Sequence, residues 1–382
     1  MQIEKDKKNL ITYSEKLSEV LYDETHPFKP RRARVFTELL RRYSLFDERF
    51  DKIVEPLEID ENILYLFHEK EYIQALKRAD SAFDLEVFWR GIGTDDNPIF
   101  KGMFDFSLGC VACTFTCFRE IVLGNASFAF NPLGGFHHAL KGHAMGFCYL
   151  NDVAVVGKYF QKLGKRFAIL DMDAHHGNGI QEAFYEDKDV LTISIHESGV
   201  TLFPGTGSES EIGNGEGYGY NVNIPLAYGT DDETYLYAFE SIVPPLIKTF
   251  SPDFLVVLVG ADLHKDDPMS HLSITARGFK NALEKLDGLA DKLVALGAGG
   301  YSISKSPALW AVAYSVFTKR KIVDQFAGVV GGMMYGPEVD LPFFLREENV
   351  ENNASNKSMR LKAAEDVVNF IRKNVFPIFG IS

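Results

Sequence analysis

The sequence predicts an α/β fold of three layers, a central sheet with helices on both faces. Three observations carry that prediction. Short runs at 167–171 (FAILD), 190–195 (VLTISI), 254–259 (FLVVLV) and 292–296 (KLVAL) are apolar throughout rather than alternating, as in strands buried on both faces of a parallel sheet. Helical segments alternate with them at about 151–163, 231–249, 276–291 and 306–319, the pattern of a layered α/β domain. Polar, reactive residues follow directly on the strands, and open α/β sheets bind ligands beyond the carboxyl ends of their strands. Further helices are expected at 31–43, 69–79, 106–123 and, in the tail, 357–373.

Composition bounds the rest. The 382 residues, 46% of them hydrophobic, suffice for a large core. No Pro/Gly/Ser-rich linker divides the chain, so 1–382 is expected to be a single domain. A net charge of −13 argues against direct nucleic-acid binding, which needs a basic surface. Acidity could favour cationic substrates such as lysine side chains or polyamines, although solubility is the simpler reading. Cys110, Cys113 and Cys117 fall on one helical face, and with no second CxxC or nearby His they read as small buried side chains. The charged start, MQIEKDKKNL, has no apolar run like a signal peptide, and no stretch of about 18 apolar residues suggests a membrane span. The expectation is a soluble cytoplasmic protein, or a nuclear one in a eukaryote.

The chemistry begins at the end of the 167–171 strand, where the chain reads Asp171-Met-Asp173-Ala-His175-His176-Gly. Residues two apart in an extended segment share a side, so Asp173 and His175 can reach one ion. Asp262, following the 254–259 strand, can supply a third ligand. Two carboxylates and an imidazole suit Zn²⁺ and also accept Fe²⁺, Co²⁺ or Mn²⁺. Three protein ligands with an open position mark a catalytic site rather than a structural one. The plain alternative is a buried polar network or a helix cap at Asp173. Asp171 is read as a carboxylate that orients a histidine, and His176 as packing.

The second half is Gly134-Gly-Phe-His137-His138-Ala. Adjacent histidines diverge on an extended backbone, but in a tight loop they can flank one water. Histidine titrates near neutrality, so one can take a proton while the other supplies one. Tyr301 follows two glycines at a strand end. Its hydroxyl could donate to a carbonyl oxygen and to the oxyanion formed from it; as one tyrosine of sixteen it could equally be core.

The segments GGFHHA, GFCYLNDVA, DMDAHHGNG, SIHESGVTLFPGTG, GADLHKDDP and GAGGYS occur in the order found in the histone deacetylase superfamily, which the chain resembles from about residue 22 to 320. That group includes class I histone deacetylases, bacterial acetoin-utilisation proteins and acetylpolyamine amidohydrolases. The resemblance implies the arginase–deacetylase fold, with a mostly parallel sheet and long active-site loops; about 355–382 would then be a helical extension. It assigns Asp173, His175 and Asp262 as zinc ligands, and His137, His138 and Tyr301 as catalytic residues, with Asp171 behind His137. It places Gly146 and Phe147 in an acyl-lysine tunnel, Phe203 on the opposing wall and Met269 at the rim, with Asp96 binding substrate backbone. It also implies structural K⁺ or Na⁺ near Asp171, Asp173, His175, Ser194 and Ile195.

One departure stands out. Class I enzymes usually read HHGDG, whereas this chain has HHGNG, with Asn178 as the expected partner of His138. Asparagine keeps the hydrogen bond and removes a negative charge, so His138 should be harder to protonate. The expected activity is metal-assisted removal of acetyl or related acyl groups from protein or peptide lysines. Acetylpolyamines or other small acylated amines are the alternative substrates. A metal-binding protein without catalysis is a third reading, disfavoured because every ligand, both histidines and Tyr301 are present. The sequence leaves the oligomeric state open.

Overall fold

A computed structural model describes residues 9–79, 85–322, 344–346 and 354–381. Most of the charged N-terminal segment lies outside them. Among the described residues, eight strands form one sheet: β1 (Asn9–Thr12), β2 (Asp51–Val54), β3 (Phe128–Asn131), β4 (Phe167–Asp171), β5 (Val190–Glu197), β6 (Asn221–Leu226), β7 (Phe254–Leu258) and β8 (Leu293–Leu296). Their order is β2-β1-β3-β8-β7-β4-β5-β6, and every neighbouring pair is parallel. The three-layer expectation therefore holds, and the sheet is wholly parallel.

Side-chain alternation divides each strand between two cores. From β4, Phe167 and Ile169 enter one core with the Met103–Val122 and Asp152–Lys162 helices. Ala168 and Leu170 enter the other, with the Arg32–Arg42, Asp232–Phe250, Ala276–Glu284 and Lys305–Phe317 helices. Both faces are dry, which is why the strand sequences read as continuous apolar runs. The helix expected over 276–291 stops at Glu284, and the chain takes a left-handed turn at Gly288 (φ 75°). Side-chain caps start several helices: Asn151 accepts from Ala154 N, Asp231 from Thr234 N and Thr275 from Gly278 N, each satisfying an amide with no intrahelical partner.

The topology positions the site. From β4 the chain builds outward through β5 and β6. It then returns to the other side of β4 with β7 and β8. The strand order thus reverses at the β4–β7 junction, where connections leave in opposite directions and open a crevice at the carboxyl ends. Phe167 and Phe254 stack across this junction, ring centres 5.1 Å apart at 10°, both buried. Phe167→Ala is expected to destabilise the protein by about 3–5 kcal/mol. Leu163→Ala, at a position 58% exposed, should change stability by less than about 0.5 kcal/mol. Denaturant midpoints at equal slope check both.

Candidate metal and catalytic site

Asp171 ends β4, and the chain then turns rather than continuing extended. The Asp171 carboxylate accepts Asp173 N (3.1 Å), and Asp173 Oδ1 accepts His175 N (2.9 Å). These local bonds curl the segment and bring Asp173 and His175 together. Asp262 joins them from the loop after β7, its Oδ1 held by Ala174 N at 3.0 Å. His175 Nδ1 lies 2.8 Å from Asp262 Oδ2 and 3.1 Å from Asp173 Oδ1. One ligand atom from each residue falls within 4.8 Å of the others, and all three residues are buried. Two carboxylate oxygens and an imidazole nitrogen converging in a dry site fit a divalent cation.

The electrostatics agree. Burial and the neighbouring Asp173 push the Asp262 carboxyl up to about 7. Burial opposes a charge on His175, but Asp173 and Asp262 outweigh it and raise the imidazole to about 10. Both acids lie within hydrogen-bond distance of His175 Nδ1 and favour a proton there.

The tandem histidines come from the loop after β3. Asp152, at the start of its helix, accepts Gly135 N at 3.0 Å and Phe136 N at 2.8 Å. Asn151 Nδ2 donates to Ala139 O at 3.1 Å, and Gly179 N to His137 O at 2.9 Å. The loop is therefore pinned on both sides of the pair, whose rings lie 4.0 Å apart. Sequence reasoning missed this role of Asn151 and Asp152, because an Asn-Asp pair before a helix reads simply as a cap.

The two histidines differ in charge. His137 Nδ1 lies 2.7 Å from Asp171 Oδ2. Burial opposes protonation of His137, but Asp171 and Asp173 prevail and raise it to about 9. His138 Nδ1 lies 2.8 Å from Asn178 Oδ1. An amide oxygen only accepts, so Nδ1 carries the hydrogen and Nε2 keeps its lone pair. Burial and the charges on His137 and His175 hold His138 well below its ordinary value.

Tyr301 lies across the trio, its ring centre 6.5 Å from that of His175. Burial, then the charges on Asp262 and Asp173, push its phenol well above the usual range, so it stays a donor. Phe147 meets Tyr301 edge-on at 5.5 Å, and Phe203 meets His138 at 5.0 Å. Gly146 packs so closely on His138 that a Cβ would collide with its ring. Met269 is half-buried and, like Tyr301, packs against the same apolar cluster. The Asp96 side chain is exposed; its carbonyl bonds to His26 Nε2 (3.1 Å), and His26 packs against Phe147. Ser194 sits in register with Asp171, and Ile195 next to it is fully buried. His176 is buried and hydrogen-bonded to Thr206 and Gln181. Beside the histidines lies a small cavity of about 20 Å³ lined by Gly134, Gly135, Tyr301 and buried Arg32, another residue the sequence did not single out.

The histone deacetylase domain family matches residues 26–317. The chain belongs to that family. It is 38% identical over 314 residues to the acetoin utilization protein AcuC of Bacillus subtilis, covering 79% of this chain and 80% of the relative. It is 30% identical to histone deacetylase 2 of rice (Oryza sativa), over 91% of this chain and 68% of that one. Among solved structures, a histone deacetylase homologue from Aquifex aeolicus matches with a TM-score of 0.81 at 29% identity, covering 94% of this chain and all of that one. A homologue complexed with SAHA matches at 0.80 and 30% identity, with the same coverage. Family membership makes the protein a deacetylase, a hydrolase, with the fold of these homologues. Among the described residues, no helix is long and apolar enough to cross a membrane.

A metal must displace the proton that the two acids hold on His175 at about 10. Uptake should therefore release protons and weaken as pH falls, by at least about tenfold per unit between pH 8 and 7, since Asp262 also begins to protonate there. Competition with a chelator at several pH values tests this, and equal affinity across that range would contradict it.

Proposed function

We propose that the protein is a zinc-dependent deacetylase that removes acetyl groups from lysine side chains of proteins or peptides. The observation that carries this reading is the convergence of Asp173, His175 and Asp262 beside an imidazole with a free Nε2. Zinc at the trio would polarise the acyl carbonyl and acidify water; iron(II) would suit the same donors. His138, uncharged and fixed as the Nδ1–H tautomer by Asn178, takes the proton of the attacking water through Nε2. His137, held as a cation by Asp171, adds positive charge beside the developing oxyanion. The Tyr301 hydroxyl donates to that oxygen. His138 then returns its proton to the leaving amine, giving a carboxylate and a free lysine. The register of Asp171 with Ser194 supports a structural K⁺ or Na⁺ beside them, with Asp173, His175 and Ile195 completing its surroundings.

Phe147 and Phe203 flank Tyr301 and His138 with apolar rings, which suits a methylene stem. Asp96 is exposed, and its carbonyl bonds to the His26 that packs on Phe147; its carboxylate suits the amide groups of a peptide. Zinc-loaded protein is expected to hydrolyse an acetyl-lysine peptide in preference to acetylspermidine. A strong preference for the polyamine would replace the substrate assignment. His138→Ala and Tyr301→Phe should each lower kcat by about a hundredfold or more while zinc stays bound; wild-type turnover in both would overturn the mechanism.

Asn178→Asp tests the base directly. The added negative charge favours protonated His138 and so raises its pKa. The neutral, active form then appears only at higher pH. The acid limb of kcat/KM should move up by about one unit, and an unmoved limb would exclude His138 as the base.

A further inference from the structure

We infer that Asp267 is a positioning residue that sets where the Tyr301 hydroxyl lies. This rests on the proposed role of Tyr301. The chain leaves β8 through Ala298 (φ 55°), Gly299 and Gly300 (φ 120°). Gly299 is required by space, and Gly300 by space as well as by conformation. A Cβ on Gly299 would lie 2.5 Å from Asp262 Oδ2, and one on Gly300 would lie 2.6 Å from the Ala261 Cβ. Two successive glycines, however, leave the direction of the next residue weakly determined. The position of Tyr301 must come from contacts outside its own backbone.

Hydrogen bonds supply them. Gly299 N donates to Asp173 Oδ2 at 2.7 Å, and Arg32 donates to Ala298 O at 3.1 Å and to Gly300 O. These hold the glycines. Tyr301 N donates to Asp267 Oδ2 at 2.7 Å, which fixes the residue itself at the point where the chain regains a side chain. The second Asp267 oxygen accepts Met269 N at 3.0 Å. One carboxylate, 8% exposed, thus joins the catalytic tyrosine to the tunnel rim. Its neighbour Asp266 pairs with Lys305 at the start of the following helix, so adjacent acids hold both ends of the Tyr301 turn. The Asp266 pair is partly exposed and contributes little; the buried Asp267 bonds matter more, because losing the acceptor strands two amides.

Asp267 could instead act only on the rim through Met269. The two roles separate in a double-mutant cycle. Loss of rim order raises KM and persists without the Tyr301 hydroxyl. Loss of tyrosine positioning lowers kcat and disappears when that hydroxyl is gone. The experiment measures kcat, KM and zinc content for acetyl-lysine peptide hydrolysis by wild type, Asp267→Ala, Tyr301→Phe and the double variant. Asp267→Ala is expected to lower kcat by about tenfold or more with full zinc content, and to change kcat by less than about threefold in the Tyr301→Phe background. An equal factor in both backgrounds, or an unchanged kcat, overturns the inference while leaving the mechanism standing. A fully active Tyr301→Phe overturns the mechanism and the inference together. If Asp267→Ala does not fold, Asp267→Asn, which keeps one accepting oxygen, is read in the same cycle by the same criteria.

Discussion

Two carboxylates and an imidazole, all buried, meet at the carboxyl ends of β4 and β7. Charged groups taken out of water are costly unless paired or bound to a metal. Much of the surrounding structure answers that constraint. Backbone amides of Ala174, His175 and Gly299 point at the acids. Glycines at 260 and 299 leave room where any side chain would strike Asp173 or Asp262. Asp171, instead of joining the trio, pairs with His137 and receives Asp173 N. The site is an island of charge stabilised by directed hydrogen bonds within a dry sheet.

The parallel sheet makes the convergence possible. All strands point one way, so their carboxyl ends share an edge, and the reversal of strand order at β4 and β7 opens that edge. The metal trio spans β4 and β7, the histidines arrive from β3, and Tyr301 arrives from β8. Chemistry drawn from four strands needs a frame that does not yield. Aromatic stacking between Phe167 and Phe254 and the two cores on opposite faces provide it. The asymmetry between the histidines follows from their surroundings: the carboxylate behind His137 favours its cation, whereas burial and the neighbouring His137 and His175 keep His138 neutral, with the Asn178 amide fixing its tautomer.

The central strands were legible in the sequence because both their faces are buried, so β4, β5, β7 and β8 read as unbroken apolar runs. Four strands were not. β1, β2 and β3 have only four residues each and, unlike the equally short β8, carry polar residues (Asn9, Thr12, Asp51, Lys52, Asn131) that break the apolar run. β6 lies at the sheet edge, and its NVNIPL sequence carries two asparagines that bond Gln181 and a proline, all of which argue locally against a strand. The trio and tandem histidines were legible because strand ends carried them in ordered motifs. Their turned geometry after Asp171 was not, since side-chain-to-backbone bonds override the extended pattern. Asn151, Asp152 and Asp267 were invisible as supports because their partners are backbone amides or carbonyls distant in sequence.

The most direct test is a zinc titration of metal-depleted protein, following hydrolysis of an acetyl-lysine peptide. Activity should be absent without metal, rise in proportion to added zinc and level off when one ion is bound per chain. Full hydrolysis by the metal-depleted protein, or none after zinc has bound at the trio, would contradict the account.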